Sequence, residues 1–245
     1  VKINPTITLY ASPWTPPAWL KTQGTMDGKA SSNILLGTDA ALEAYAEYLS
    51  RVARAFAERG LNIAYLALQN EPLFGDGLYP GMLLPAETAI LLGAKVAAKI
   101  ATAGLGSTTK LLAYDHNWDV PSYPIEVLAN GSSGWVGTAF HCYAGDMVKA
   151  HEAVHSAQPN MELHVTECTG SFPNGKCDIN QGMGSNFLGN HEWDMRNVLL
   201  GAVAHWASAG LKWVMALDEN CGPFLPQVTF TNGRPLVSIP SSPSS

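Results

Sequence analysis

Positive charge is scarce in this sequence, and it is not clustered. Lysine and arginine together number 14 among 245 residues, and the formal net charge is −6. Because no basic run or stripe appears, we expect no nucleic-acid partner. Long apolar runs are missing as well, since Lys95 and Lys99 interrupt the longest candidate, AILLGAKVAAKIATAGLG. We therefore expect no membrane-spanning segment.

Motifs for nucleotide binding, serine hydrolysis and zinc binding are also missing. No Gly-x-Gly-x-x-Gly, P-loop or Gly-x-Ser-x-Gly follows an apolar segment, and the four cysteines include no Cys-x-x-Cys spacing. His164 and Glu167 stand three apart on a predicted strand and so point to opposite faces. His191 and His205 lie on or near the last predicted helix, where a structural role suffices. We expect no metal ion and no cofactor.

Apolar segments are plentiful, and they alternate between strand-like and helix-like patterns. Hydrophobic residues make up 47% of the chain, which is enough for one large buried core or two small ones. Predicted strands cover 6–12, 61–68, 110–115, 134–143, 161–167 and 211–218, and predicted helices cover about 41–59, 86–104, 122–129, 146–157 and 193–210. The strands are too apolar to have a wet face, which indicates a parallel sheet covered by helices.

The alternation alone is compatible with a closed barrel or an open doubly wound sheet. Polar or aromatic side chains follow the predicted strands: Trp14, Asn70, Glu71, Asp115, His116, Asn117, Trp118, His141, Tyr143, Glu167 and Asp218. An open sheet concentrates such groups at one switch point, whereas a barrel gathers them from all its strands around one mouth. We therefore predict an α/β fold, a (β/α)8 TIM barrel over 1–222 that lacks its first two strands. Residues 223–245 would be a tail or the start of a side domain.

Two of these residues are glutamates at equivalent strand ends. Glu71 follows the strand before ALQNEP, and Glu167 ends ELHVTE, three predicted strands further on. Groups on strands three apart can face each other across a barrel mouth. Two carboxyl groups about 5 Å apart are the arrangement of retaining glycoside hydrolysis. A glutamate at a strand end is also common without catalysis, so a structural role stays open.

Neighbouring residues favour the catalytic alternative. Asn70 can hydrogen-bond a sugar hydroxyl next to the reacting carbon. His141 and Tyr143 are two apart and share one strand face, from which Tyr143 can hold Glu167 in place. Flat apolar platforms for sugar rings, or else core residues, are provided by Trp14, Trp118 and Trp213.

Five segments in order resemble glycoside hydrolase family 30, the family of glucosylceramidases and microbial endo-β-1,6-glucanases. They are YASPWTPPAWLKTQG, ALQNEP, AFHCYAG, VTECTGS and KWVMALDENCGP, and the resemblance runs from about Thr8 to Pro223. It implies a (β/α)8 barrel with a β-sandwich side domain, acting on β-glycosides with retention of configuration. Relative to that pattern, this chain lacks the first two barrel strands and nearly all of the side domain.

The resemblance also implies roles for individual residues. Glu71 corresponds to the acid/base and Glu167 to the nucleophile, while Tyr143 would touch both carboxylates with His141 beside it. The sugar-binding residues that it implies are Asn70, Trp14, Trp213 and Asp218.

Within the family, the chain looks more similar to the endo-β-1,6-glucanases than to the glucosylceramidases. The latter typically carry a tryptophan between the histidine and the tyrosine, where this chain has Cys142. The expected substrate is a β-glucan polysaccharide, and the expected protein is an extracellular monomer. The alternatives are a glucosylceramidase-like β-glucosidase, a xylanase, a non-catalytic carbohydrate-binding barrel and an inactive fragment.

The resemblance brings the cysteines into the same region. Cys142 and Cys168 each follow a residue expected to point inward, at the ends of neighbouring strands. They should therefore point the same way, and we predict a Cys142–Cys168 disulfide. The other two cysteines, Cys177 and Cys221, are the candidates for a second disulfide.

Overall fold

Strands and helices alternate along the chain. The computed structural model describes residues 4–28, 32–75, 79–131, 134–169, 187–218 and 237–239. The helices are α1 (Asp39–Ala57), α2 (Ala86–Thr102), α3 (Ser122–Asn130), α4 (Met147–Ala157), α5 (Phe187–Asp194) and α6 (Leu200–Ala204), with a 3-10 turn at Ala18–Leu20 and a π-helical turn at Met195–Leu199. The strands are β1 (Leu9–Ala11), β2 (Ile63–Ala67), β3 (Lys110–Trp118), β4 (Trp135–Gly145), β5 (Glu162–Glu167), β6 (Ala207–Gly210), β7 (Ala216–Asp218) and β8 (Val237–Ile239).

Strands β1 to β6 form one six-stranded sheet in chain order. The pairs β1–β2, β2–β3 and β5–β6 are parallel. A helix between successive strands of such a sheet is the arrangement of consecutive βα units in a (β/α)8 barrel. The predicted alternation of six strands with helices is confirmed.

The chain forms two compact units. The first unit comprises Val1–His116, Val120–Ala139 and Ala153–Glu162, and the second comprises Asn117–Asp119, Phe140–Glu152 and Leu163–Ser245. Glu71 belongs to the first unit and Glu167 to the second.

Helix α1 shows how the sequence specifies the first unit. Thr38 caps the helix, because its hydroxyl accepts a hydrogen bond from the backbone N–H of Ala41 at 3.2 Å. Leu42, Tyr45 and Leu49 recur at spacings of three and four and are buried on one face. In the part of the chain that the structure describes, no helix combines the length and the apolar composition needed to cross a bilayer.

A neutral histidine anchors the part of α4 that belongs to the second unit. His151 is fully buried, and its Nδ1 lies 2.7 Å from the carbonyl oxygen of His205, to which it donates a hydrogen bond. The ring stacks on Phe140 at a centroid distance of 5.3 Å and meets Trp118 edge to face at 6.2 Å. Burial lowers the pKa of His151 to about 4, so the ring carries no charge near pH 7.

The prediction for the end of the sheet was wrong. The helix predicted over 193–210 ends at Ala204, and the sixth strand of the sheet is Ala207–Gly210 rather than 211–218. Trp206 interrupts the helix, since its φ of 73° lies in the left-handed region. Of the predicted strand, only Ala216–Asp218 is extended, and it pairs with Val237–Ile239 in a separate two-stranded sheet.

The small side chains of β6 explain why the sequence did not predict this strand and why it packs closely on the segment around Val198. The sequence ASAG carries no β-branched or aromatic residue, so it has no strand signal of its own. A Cβ atom on Gly210 would lie 2.2 Å from the carbonyl oxygen of Val198, so only glycine permits this close approach. Tertiary contact, rather than local propensity, determines this strand.

Gly145, the last residue of β4, gives a stability prediction. Its φ is +88°, and a Cβ atom there would lie 2.3 Å from the backbone nitrogen of Asp119. Gly145→Ala should therefore lower the free energy of unfolding by about 3 kcal/mol, through backbone strain and overpacking together. The measurement is denaturant unfolding of the variant and the wild type.

Gly104→Ala is the matched control for this prediction. Gly104 has a φ of +76°, but a Cβ atom there would meet nothing within 4 Å. Only the strain remains, so the expected loss is about 1 kcal/mol. Equal losses for the two variants would show that the close approach at Gly145 does not matter.

Candidate active site

Asn70 and Glu71, which follow β2, lie in the first unit. Backbone hydrogen bonds hold this short segment from two sides. The N–H of Asn70 donates to the carbonyl oxygen of Pro13 at 2.8 Å, and the N–H of Glu71 donates to that of Asp115 at 2.9 Å. Asn70 is buried, and Glu71 is half-buried. These bonds fix the backbone of both residues against the turn after β1 and against β3.

Backbone strain is concentrated at the same place. Glu71, Tyr114 and Asp115 have φ values of 48°, 75° and 63°. These values lie in the left-handed region, which residues other than glycine rarely adopt. Such a conformation costs on the order of 1–3 kcal/mol per residue and persists only where the surrounding structure imposes it. Strain of this kind is typical of functional sites, and here it surrounds the candidate acid/base.

Two side chains that the sequence analysis did not select complete this region. Gln69 is buried, and its amide Nε2 donates to the carbonyl oxygens of Trp14 at 2.6 Å and Asn70 at 2.9 Å. The hydroxyl of Ser12 donates to the carboxylate of Asp115, which is also buried. Gln69 therefore links the backbone at Trp14 to the Asn70–Glu71 pair.

A buried lysine holds together the loops that follow β1 and β2. The Nζ of Lys21 donates to the carbonyl oxygens of Met26, Asp27 and Gly81 at 3.2, 3.0 and 2.8 Å. Burial lowers the pKa of Lys21. Because it meets all three carbonyls at once, the ammonium group fixes residues 79–82 against residues 21–28.

Glu167, in the second unit, is held by a tyrosine. The hydroxyl of Tyr143 donates to Oε1 of Glu167 at 2.9 Å, and the N–H of Tyr143 donates to Oδ1 of Asn117 at 3.0 Å. Tyr143 is exposed, and Glu167 is half-buried. The carboxylate thus sits in a fixed rotation at the end of β5, within reach of solvent.

His141 and the disulfide lie directly beside this pair. His141 is buried, and its ring meets that of Tyr143 edge to face at a centroid distance of 6.1 Å. Cys142 and Cys168 are joined by a disulfide with an S–S distance of 2.09 Å. Because Cys168 directly follows Glu167, the bond ties the end of β5 to β4.

The remaining predicted site residues differ in their exposure to solvent. Trp14 is half-buried in the first unit, and Trp213 is 37% exposed in the second, where its N–H donates to the carbonyl oxygen of Cys168 at 2.9 Å. Trp118 is only 4% exposed and packs on His151, the position that a core tryptophan takes. Asp218 ends β7. Cys177 and Cys221 lie outside the described residues.

The chain matches a family model over nearly its whole length. The model for "Glycosyl hydrolase family 30 TIM-barrel domain" covers residues 1–241. Together with the strand order, this confirms the predicted (β/α)8 fold class.

Curated relatives and solved structures agree with the match. An endo-1,6-beta-D-glucanase of Neurospora crassa is 31% identical over 226 residues, which are 91% of this chain and 43% of that protein. Putative glucosylceramidase 1 of Caenorhabditis elegans is 28% identical over 233 residues, 87% of this chain and 43% of the relative. The structure of the endo-beta1,6-glucanase BT3312 superimposes with a TM-score of 0.76 at 26% identity, covering 95% of this chain and 52% of that one. The chain thus spans less than half the length of these curated relatives.

Proposed function

The chain belongs to glycoside hydrolase family 30, and from that premise we propose that the protein hydrolyses β-linked glucans with retention, Glu71 acting as acid/base and Glu167 as nucleophile. The observation that carries the proposal is the setting of the two carboxylates. Glu71 follows β2 on a strained backbone, and Glu167 ends β5 in a hydrogen bond with Tyr143. Each also occupies the motif position that the family resemblance assigns to its role.

The reaction proceeds in two steps with these groups. In the first, a carboxylate oxygen of Glu167 bonds to the anomeric carbon, the glycosidic bond breaks, and Glu71 gives its proton to the departing oxygen. In the second, the Glu71 carboxylate takes a proton from water, the water oxygen bonds to the anomeric carbon, and the ester to Glu167 breaks. Two inversions at the same carbon give net retention.

The hydrogen bond from Tyr143 supports the nucleophilic role of Glu167. It fixes the rotation of the carboxylate through Oε1, so we assign the attack to Oε2. A fixed nucleophile loses little entropy on reaching the transition state. His141, which packs against the Tyr143 ring, keeps that ring in place.

Asn70 and Trp14 supply the sugar contacts on the side of Glu71. Asn70 is assigned to the hydroxyl next to the anomeric carbon, and Trp14 to the face of the same sugar ring. Gln69 joins the two through its hydrogen bonds to their carbonyl oxygens. We assign Trp213 to the same sugar on the side of Glu167, and Asp218 to its edge.

The preferred substrate in this proposal is a β-1,6-glucan. Relatives named as endo-1,6-beta-D-glucanases support it. The family resemblance supports it as well, since Cys142 stands between His141 and Tyr143, where glucosylceramidases typically carry a tryptophan. The Cys142–Cys168 disulfide favours an extracellular protein, because such bonds persist in oxidising compartments. The glucosylceramidase relative provides the competing substrate class.

A substrate panel read by NMR tests the proposal. The protein, expressed from its full coding sequence, is incubated with a β-1,6-glucan, a β-1,3-glucan, glucuronoxylan and glucosylceramide. We expect the β-1,6-glucan to be cleaved fastest, with the β-anomer as the first product in the proton spectrum before mutarotation. An α-anomer as first product would rule out the double displacement. If glucosylceramide alone were cleaved, the proposed substrate would be wrong, whereas the proposed double displacement would stand.

A further inference from the structure

A row of three aromatic rings runs beside Glu71 in the first unit. The ring of Trp14 meets that of Tyr79 edge to face at a centroid distance of 5.3 Å, and Tyr79 stacks on Phe74 at 6.1 Å with an interplanar angle of 23°. Phe74 is 40% exposed, whereas Trp14 and Tyr79 are half-buried. The row therefore begins at the tryptophan assigned to the bound sugar and ends at an exposed ring.

Backbone hydrogen bonds fix Phe74 relative to the candidate acid/base. The N–H of Phe74 donates to the carbonyl oxygen of Glu71 at 2.9 Å, which closes a tight turn. The N–H of Leu84 donates to the carbonyl oxygen of Pro72 at 2.8 Å, so the end of the same loop returns to its start. Phe74 thus stands one turn beyond Glu71, at a position set by that residue.

A second set of contacts fixes Tyr79. Its carbonyl oxygen accepts the N–H of Gly28 at 3.1 Å, and an antiparallel bridge joins Asp27 to Pro80. The Nζ of Lys21 donates hydrogen bonds to the carbonyl oxygens of Asp27 and Gly81. The rings of Phe74 and Tyr79 therefore form a surface with a fixed position, because hydrogen bonds hold the backbone next to each ring.

The exposure of Phe74 is what a binding surface requires. A phenylalanine that serves only to stabilise a loop would gain more by turning inward, since burial of apolar area is the dominant favourable contribution. Phe74 instead keeps one side in solvent while Tyr79 covers the other. A flat, rigid and half-covered aromatic ring offers the face on which an apolar sugar face stacks.

We propose that Phe74 and Tyr79 form an acceptor-side subsite, which binds the glucosyl residue on the leaving-group side of the cleaved bond. This inference rests on the proposed function, because the acid/base must reach the departing oxygen. The residues that follow Glu71 then lie along the departing part of the substrate. Trp14 contacts the sugar whose anomeric carbon reacts, and the row of rings continues from it to the next sugar.

The subsite has a kinetic consequence that a structural role lacks. A ring that binds the departing sugar accelerates bond cleavage only when a sugar departs. A glycosyl fluoride presents the same sugar to the reacting side but releases fluoride, which cannot stack. Loss of the ring should therefore slow hydrolysis of an oligosaccharide and leave hydrolysis of the fluoride unchanged.

The test compares gentiotetraose, a β-1,6-linked glucan oligosaccharide, with β-gentiobiosyl fluoride. For Phe74→Ala in the full-length protein, kcat/KM for gentiotetraose should fall roughly tenfold, the effect of losing one stacking contact, while that for the fluoride is unchanged. Phe74→Trp should restore the oligosaccharide rate. Phe56→Ala is the control, since Phe56 is similarly exposed, at 44%, but lies near the end of α1; it should change neither rate.

Each other outcome is decisive. An equal fall on both substrates for Phe74→Ala would assign the ring to holding Glu71 rather than to binding sugar, and no fall on either would remove the subsite. Both results leave the proposed function standing, because the wild type still turns over both substrates. A wild type that hydrolyses neither substrate would instead contradict the proposed function and, with it, the subsite.

Discussion

Replacing Glu167 by glutamine should lower kcat for β-glucan hydrolysis by about 10⁴-fold or more, with little change in stability. The neutral amide cannot form the ester to the anomeric carbon, so the first step of the double displacement is lost. Its carbonyl oxygen can still accept the hydrogen bond that Tyr143 gives to Oε1 of Glu167 at 2.9 Å. The measurements are reducing-sugar release from a β-1,6-glucan and thermal unfolding of the same preparation.

Glu162 offers a matched control on the same strand. It begins β5, where Oε2 accepts a hydrogen bond from the hydroxyl of Tyr65 at 2.9 Å. Glu162→Gln makes the same chemical change without touching a proposed catalytic group, so its kcat should stay within about twofold of the wild type. Turnover by Glu167→Gln at the level of this control would remove Glu167 from the mechanism.

Replacing Glu71 by alanine should give the second large effect, and its size should depend on the leaving group. Hydrolysis of a β-1,6-glucan should slow by about 10³-fold, because the departing sugar oxygen needs a proton. With β-gentiobiosyl fluoride the first step needs no such proton, so the glycosyl–enzyme should form fast and then accumulate, since no base activates water. Azide should restore turnover and yield a β-glycosyl azide.

Stopped-flow and product analysis separate these steps. A burst of fluoride release followed by a slow phase is the expected signature of Glu71→Ala, and added azide should accelerate the slow phase only. Glu58→Ala, a change at an exposed side chain after α1, serves as the control and should behave as the wild type. An α-glycosyl azide, or an equal loss on both substrates without a burst, would show that Glu71 has another role.

The sequence was sufficient to predict the alternation of strands and helices and the two strand-end glutamates. Both depend on local signals, namely periodicity within a segment and polar residues at its end. The strand at Ala207–Gly210 has no such signal, because its small side chains fit only in contact with the π-helical turn at Met195–Leu199. Trp118, for which the sequence left a sugar platform and a core position open, is buried and packs on His151, because contacts between distant segments decide which tryptophans are covered.

The side chains that hold the candidate site in place could not be predicted from the sequence, for a different reason. Gln69 bonds a carbonyl 55 residues away, and Lys21 bonds one 60 residues away. The Ser12–Asp115 pair spans 103 residues. Hydrogen bonds from side chains to distant backbone or carboxylate groups leave no trace in local periodicity, so only a three-dimensional structure reveals them. The stacking of Phe74 on Tyr79 belongs to the same class.

Trapping the glycosyl–enzyme tests the central claim most directly. The full-length protein is treated with 2-deoxy-2-fluoro-β-gentiobiosyl fluoride, whose C2 fluorine slows hydrolysis of the covalent intermediate. Peptide mass spectrometry should then place one sugar adduct on Glu167, and the Glu167→Gln protein should carry none. An adduct on any other side chain, or undiminished turnover without an adduct, would contradict the assignment of Glu167 as the nucleophile.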